Sequence, residues 1–317
     1  MNRPAQFRCP YTLKPLDQVQ QLSDEHIFYE AIGGPQSYSI KADRDENSLL
    51  GRTTDGRFVN SKFVEMWRAV YGIVGRLERE SRSQLKGVVV GTGEGVEVKI
   101  RQGPPIVQYT PAVKIDWAKM MARMTVQADQ AEKEQTRLRK DLAAKKVKIT
   151  ESKTLANRYP VFDLKGELKL ADVLPGALKV AYLTAFDVLG DPFLDDPLNR
   201  EWQRVIRATR MVELTIAYLV LGTGKSPRFF PFMIANDPWK GLLPKLNQTE
   251  HRVVVSNQGQ SGVHAVVELL GGGFTISARV SRGGNFCLPD GRAKIISCDA
   301  KESKIRFDEC EAINIPD

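Results

Sequence analysis

From His251 onward, HRVVVSNQGQSGVHAVVELLGGGFTISARVS reads as two or three strands joined by glycine-containing turns. Short turns between consecutive strands force antiparallel pairing, so this stretch narrows the fold more than any other. AKIISCD and SKIRFDE add candidate edge strands. His251 and His264 lie in strand-like segments with no Asp, Cys or third His at a ligand spacing, and both read as structural. Upstream the patterns are mostly helical, which makes the chain α+β with a β-rich C-terminal region.

The rest of the chain follows in order. Residues 1 to 22 carry Pro4, Pro10 and Pro15, which prevent a long helix. SYSIKA alternates like one short strand, and DENSLLG reads as one or two helical turns with an acidic or Asn start and a glycine stop. DGRFVNSKFVEMWRAVYGIVGRLERE reads as a longer amphipathic helix, with Phe58, Phe63, Met66, Trp67, Val70 and Val74 as its buried stripe. Residues 87 to 110 predict a hairpin or small sheet. Their GTGEG lacks the Gly-Lys-Ser/Thr ending of a phosphate loop and reads as a plain turn.

From Ile115 to Lys148 the spacing predicts one long helix. Trp117, Met121, Met124, Ala128, Ala131, Gln135, Leu138 and Leu142 recur at steps of four and three, a seam for self-docking or for a homodimer through residues 117 to 142. GALKVAYLTAFDVLG predicts a core helix, DPFLDDP a turn, LNREWQRVIRATR an amphipathic helix, and RFFPFMIANDPWKGLLP an aromatic connection. Three units are expected: 1 to 82, 83 to 155 and 156 to 317.

Net charge is +8, and residues 116 to 155 supply half of it, with ten Lys or Arg against six Asp or Glu. A polyanionic partner is favoured. No apolar run approaches the roughly 18 residues of a membrane span. MNRPAQFRCPYTLKP lacks a signal-peptide core, so a cytoplasmic location is expected. The four cysteines are scattered and form no C-x-x-C pair, which argues for reduced thiols.

Chemistry concentrates in residues 23 to 60, where Asp24, Glu25 and His26 are followed by Asn47. A neutral imidazole can take a proton from water. A divalent cation held by a carboxylate and an amide oxygen can stabilise a pentacovalent phosphate. Hard oxygen ligands suit Mg²⁺ or Mn²⁺.

EHIFYEAIGG followed by IKADRDENSLLGRTTDG resembles the HNH endonuclease family, in the branch that spaces Glu-His-Ile, Gly-Gly, Asn, Gly and Asp as Glu25, His26, Ile27, Gly33, Gly34, Asn47, Gly51 and Asp55 stand here. The resemblance spans roughly residues 9 to 64 and implies an N-terminal ββα-metal motif, then a helical region and the β-rich C-terminal region. It implies His26 as general base at the end of the first hairpin strand. Glu25 and Asn47 would be metal ligands, with Asn47 on the crossing helix. Gly33 and Gly34 would let the loop bend. Asp55 would cap a helix or orient the site, and Asp24 would be a reserve carboxylate. Lys41, Arg44, Arg52, Arg57, Lys140, Lys145 and Lys146 are the expected nucleic-acid contacts.

Many relatives brace this motif with zinc on two C-x-x-C pairs. Here Cys9 with Thr12, and Asp43 with Glu46, stand in those positions, so no structural zinc is expected. Packing of Phe28, Ile32, Ile40, Leu49, Leu50 and Phe58 would replace it. The expected activity is Mg²⁺- or Mn²⁺-dependent hydrolysis of DNA by an endonuclease or nickase, in bacterial or phage-related restriction or defence. The alternatives are an inactive nucleic-acid-binding or sensing protein with a relic HNH fold, and a structural scaffold.

Overall fold

The computed structural model describes residues 3–74, 83–90, 93, 95–109, 112–116, 121–125, 131–146, 162–165, 169–208 and 245–312. The chain divides into two compact units, Met1–Ser81 with Leu168–Asp317, and Arg82–Glu167.

The first unit begins with an antiparallel hairpin, β1 (Leu22–His26) and β2 (Ser39–Asp43), in the register Leu22↔Asp43 to His26↔Ser39. The alternation read in SYSIKA is this second strand: Ile40 and Ala42 are buried, and Lys41 is exposed. Helix α1 (Arg44–Leu50) follows without a linker because Asp43 is its cap, accepting from the backbone N–H of Asp45 and Glu46. Gly51 does not stop this helix. The backbone continues through a π-helical turn (Gly51–Asp55) into α2 (Gly56–Val59). Such a widened turn inserts a residue into the helical ladder and shifts the face it presents.

The longer helix expected next is broken. Ser61 starts a new helix, α3 (Lys62–Tyr71), by accepting from Val64 N–H, and Gly72 ends it at φ 66°. The restart changes the helical phase, so Val64, Trp67, Ala69 and Ile73 are buried, while Val70 and Val74 are exposed. Phe58 is buried as expected.

The second unit contains β3 (Ser83–Val89), β4 (Gly95–Ile100), β5 (Ile106–Tyr109), β6 (Ala112–Asp116), β7 (Met121–Thr125), α4 (Ala131–Ala144) and β8 (Phe162–Lys165). A four-stranded antiparallel sheet runs β5-β4-β3-β8 around Val89, Val96 and Val98, and β6 pairs with β7 in a separate hairpin. The glycine- and proline-punctuated sheet was legible in residues 87 to 110.

The long helix from Ile115 was not there. Residues 112–116 and 121–125 are strands, and the helix spans only Ala131–Ala144. A single helical seam from residue 117 to Leu142 is interrupted by the β6–β7 hairpin. A homodimer contact through one continuous 117–142 helix is therefore withdrawn; Trp117 and Ala128 lie outside the described residues.

The chain re-enters the first unit through α5 (Leu170–Leu189), a single turn at Asp191–Asp195, and α6 (Asn199–Val205). The aromatic connection at 228–244 lies outside the described residues. The unit ends in β9 (Glu250–Asn257), β10 (Val263–Leu269), β11 (Phe274–Ser281), β12 (Arg292–Asp299) and β13 (Lys304–Glu311). These form one antiparallel sheet ordered β11-β10-β9-β12-β13. AKIISCD is thus an inner strand, and SKIRFDE is an edge.

One apolar core runs through Ile27, Phe28, Ile32, Ile40, Leu50, Phe58, most of α5, and Val253, Val255 and Val267 of the sheet. Separate 1–82 and 156–317 domains are corrected by this shared core. The contact is close: a Cβ at Gly176 of α5 would lie 2.6 Å from Phe58 Cβ. Of the six residues expected to pack the hairpin motif, Leu49 alone is exposed. No helix among the described residues is long and apolar enough to cross a membrane.

Candidate functional site

Strand alternation sorts the candidate residues by face. Asp24 and His26 point outward from β1, while Glu25 points inward and is 3% exposed. Asn47 of α1 fastens the helix to the strand, because its side-chain N–H groups donate to Ser23 Oγ and to the Asp24 carbonyl, both at 3.0 Å. Asn47 therefore lies beside Asp24, one residue from Glu25 and two from His26.

His26 Nε2 is 3.1 Å from Glu30 Oε1, and its Nδ1 is buried without a hydrogen-bond partner. A carboxylate beside Nε2 favours a proton on that nitrogen, as Nε2–H donates to it. Glu30 begins the single turn Glu30–Ile32, which ends at Gly33 with φ 87°. A Cβ at Gly33 would lie 2.3 Å from the Ala300 carbonyl oxygen, and one at Gly34 equally close to that of Phe28. Close backbone approach, rather than bending alone, is what these glycines permit.

His251 anchors the same loop to the sheet. Its Nε2 donates to the Ile32 carbonyl at 2.9 Å, and its Nδ1 accepts from Leu270 N–H at 2.9 Å. Burial lowers its pKa to about 4, against the raising effect of the Ile32 bond, so the ring is neutral at pH 7. A connector at the loop's base explains its place in a strand.

Glu25 does not reach solvent. Its Oε1 lies 3.0 Å from Nζ of Lys179, a fully buried residue of α5, and that ammonium also contacts both Asp55 oxygens at 2.8 and 2.7 Å. Asp55 makes no side-chain cap to α2, so it orients Lys179 and not a helix end. The Tyr29 and Tyr11 rings stand 5.6 and 5.9 Å from the ammonium. Burial raises the Glu25 pKa, with Lys179 opposing the shift. Burial works to lower that of Lys179, but Glu25 and Asp55 outweigh it and raise the value.

Lys179 was missed in the sequence although a signal existed. It is the lone charged residue between Val173 and Phe186. A full charge in so apolar a helix predicts a buried partner.

The positions compared with a zinc brace carry other bonds. The buried Cys9 thiol accepts from Asp43 N–H at 3.2 Å, the Asp43 carboxylate caps α1, and Glu46 pairs with Arg207 at 2.7 Å. Thr12 Oγ1 is buried without a partner.

The two expected ligands of a hard divalent ion differ in accessibility. Both Asn47 amide protons are used on β1, and no described residue bonds to its Oδ1. Glu25, by contrast, is buried with Oε1 on the Lys179 ammonium and the Tyr11 hydroxyl facing its carboxylate. Glu25 therefore reaches an ion with a water or phosphate shell only by leaving Lys179 and Tyr11. Among the described residues, no three His, Cys, Asp or Glu side chains converge as a metal-holding group.

The expected nucleic-acid contacts divide. Lys41 pairs with Asp24 across the hairpin at 2.9 Å, and Arg44 donates to Gln21 at 2.7 Å. Arg52 is exposed, whereas Arg57 is bound to Asp172 at 2.9 Å. In the second unit Lys140 is exposed on α4, and Lys145 and Lys146 follow its end. Comparison of the chain with protein-family models, curated proteins and solved structures found no match in any of the three.

Proposed function

We propose that the chain is a metal-dependent HNH-type endonuclease or nickase that hydrolyses DNA phosphodiester bonds. The observation that carries this reading is the continuous run of hairpin and helix from Leu22 to Leu50, with Asn47 bonded to the strand that ends in His26. Glu30 orients the His26 ring through Nε2, and His26 is the group that would take the proton of an attacking water. Asn47 would hold one Mg²⁺ or Mn²⁺ together with Glu25, which would have to leave Lys179 to do so, and the ion would supply charge stabilisation at the phosphate. Exposed Arg52 and the outward face of β1 present this end of the hairpin to a polyanion.

Incubation of supercoiled plasmid with Mg²⁺ or Mn²⁺ tests the proposal. The wild-type chain nicks or linearises the DNA, EDTA stops it, and Asn47→Ala is inactive. Absence of cleavage across several DNA types would contradict it. A binding-only protein with a relic fold is the second reading, favoured by the commitment of Glu25 Oε1 to Lys179. It is selected by salt-dependent DNA binding with no metal-stimulated cleavage.

A further inference from the structure

The C-terminal sheet ends in β13, and among the described residues no strand pairs with its far side. The Ala312 N–H donates to the Gly291 carbonyl in continuation of the β12–β13 register. Backbone groups alternate in direction along an antiparallel strand. Arg306 and Asp308 therefore spend theirs on β12, while Ile305, Phe307 and Glu309 turn theirs to the open edge. Ile305 and Phe307 are half-buried against the core, with the Phe307 ring edge-on to Tyr38 at 5.6 Å. Arg306 and Asp308 project from the opposite face, and both are exposed. Arg306 pairs with Glu250, yet its side chain remains 65% exposed.

Charges on an open edge ordinarily deter a second strand. Here their order favours one in a single register. A two-fold axis normal to the sheet joins two antiparallel copies of the same strand, residue i meeting j and j meeting i. Centred on Phe307, it sets Arg306 opposite the partner's Asp308, and Asp308 opposite the partner's Arg306, as closely spaced neighbours. Moving the centre by one residue places Arg306 against the partner's Arg306, or Asp308 against the partner's Asp308. We propose that β13 is a homodimer edge, at which two copies join antiparallel about Phe307 and their five-stranded sheets become one. This surface is separate from residues 117–142, and it does not depend on the proposed hydrolysis. A single strand pair is small beside a standard interface of about 1,600 Å², which makes the dimer a weak, reversible one.

Sedimentation velocity of the full chain in reductant tests this, at up to about 100 µM, above a micromolar dissociation constant. Wild type forms a reversible dimer. A monomer throughout overturns the proposal, even where a strand of another protein takes the edge. Arg306→Asp and Asp308→Arg each set like charges against each other across the axis and weaken association at least about tenfold. Their equimolar mixture restores a heterodimer, because every facing pair is then of opposite sign. Loss of the Arg306–Glu250 pair alone does not produce that rescue. Dimers that persist in both single variants, or a mixture of folded variants that stays monomeric, overturn the edge and its register. Thermal unfolding checks each variant; if Arg306→Asp does not fold, Asp308→Arg decides, with a monomer supporting the proposal and a wild-type dimer affinity overturning it.

Discussion

Glu25 and His26 are adjacent in sequence but occupy two different regions, and the contrast between them organises this end of the molecule. On the inner side of β1, Glu25 is joined to Lys179 and Asp55 inside the shared core. On the outer side, Asp24 and Lys41 form an ion pair whose side chains are 55% and 53% exposed, and His26 meets Glu30. Identical chemistry, a lysine on a carboxylate, has opposite weight in the two places. Inside, each charge depends on the other. Outside, water can replace either partner. Period-two alternation buries one face of the strand and leaves the other to solvent.

Removing the inner cation is the strongest way to break this contrast. Lys179→Met leaves two carboxylates without their cation and lowers stability by about 3–5 kcal/mol in denaturant unfolding. Lys41→Met, on the outer face, changes it by about 0.5 kcal/mol or less. Similar losses for the two would remove the distinction.

The inner side also includes the loop that His251 ties to the sheet, and its effect depends on pH. The folded pKa, about 4, lies below the ordinary value of 6.5. The stabilisation is therefore fully present above about pH 6.5, is lost as pH falls because the unfolded chain binds the proton first, and is gone below about pH 4. A shift of this size corresponds to about 3 kcal/mol. Unfolding free energies from pH 7.5 to 4 should fall more steeply for wild type than for His251→Gln, and parallel curves would refute the assignment.

A smaller loss is expected where that loop touches the sheet. Gly33→Ala must place a Cβ against the Ala300 carbonyl at positive φ, and destabilises by about 2 kcal/mol. An unchanged melting temperature would mean the loop yields freely. Smallest is Asp43→Ala, which removes the cap of α1 and lowers stability by about 1 kcal/mol.

Much of the hairpin and its helix was legible because the signals are local: alternation in SYSIKA, an Asp at the helix start, and Gly-Gly where Cβ atoms do not fit. The Glu25 environment was not. Nothing near Glu25 in sequence announces Lys179, and the signal lay in an apolar helix on the far side of the inserted unit. The helix read into residues 115 to 148 failed for a different reason. Steps of three and four between Trp117, Met121 and Met124 satisfy a helical template, but AVKID and MARMT are short enough to pair as strands. Apolar patterning likewise says that Phe58 is buried, but not that Gly176 of α5 is what covers it.

The proposed hydrolysis stands or falls with His26, the candidate proton acceptor on the outer side of β1. Plasmid cleavage by His26→Ala in Mg²⁺ or Mn²⁺, with the melting temperature taken on the same sample, tests it most directly. The account predicts a loss of at least about 100-fold in cleavage rate with an unfolding transition close to that of the wild-type chain. Cleavage by the folded variant at the wild-type rate would contradict it.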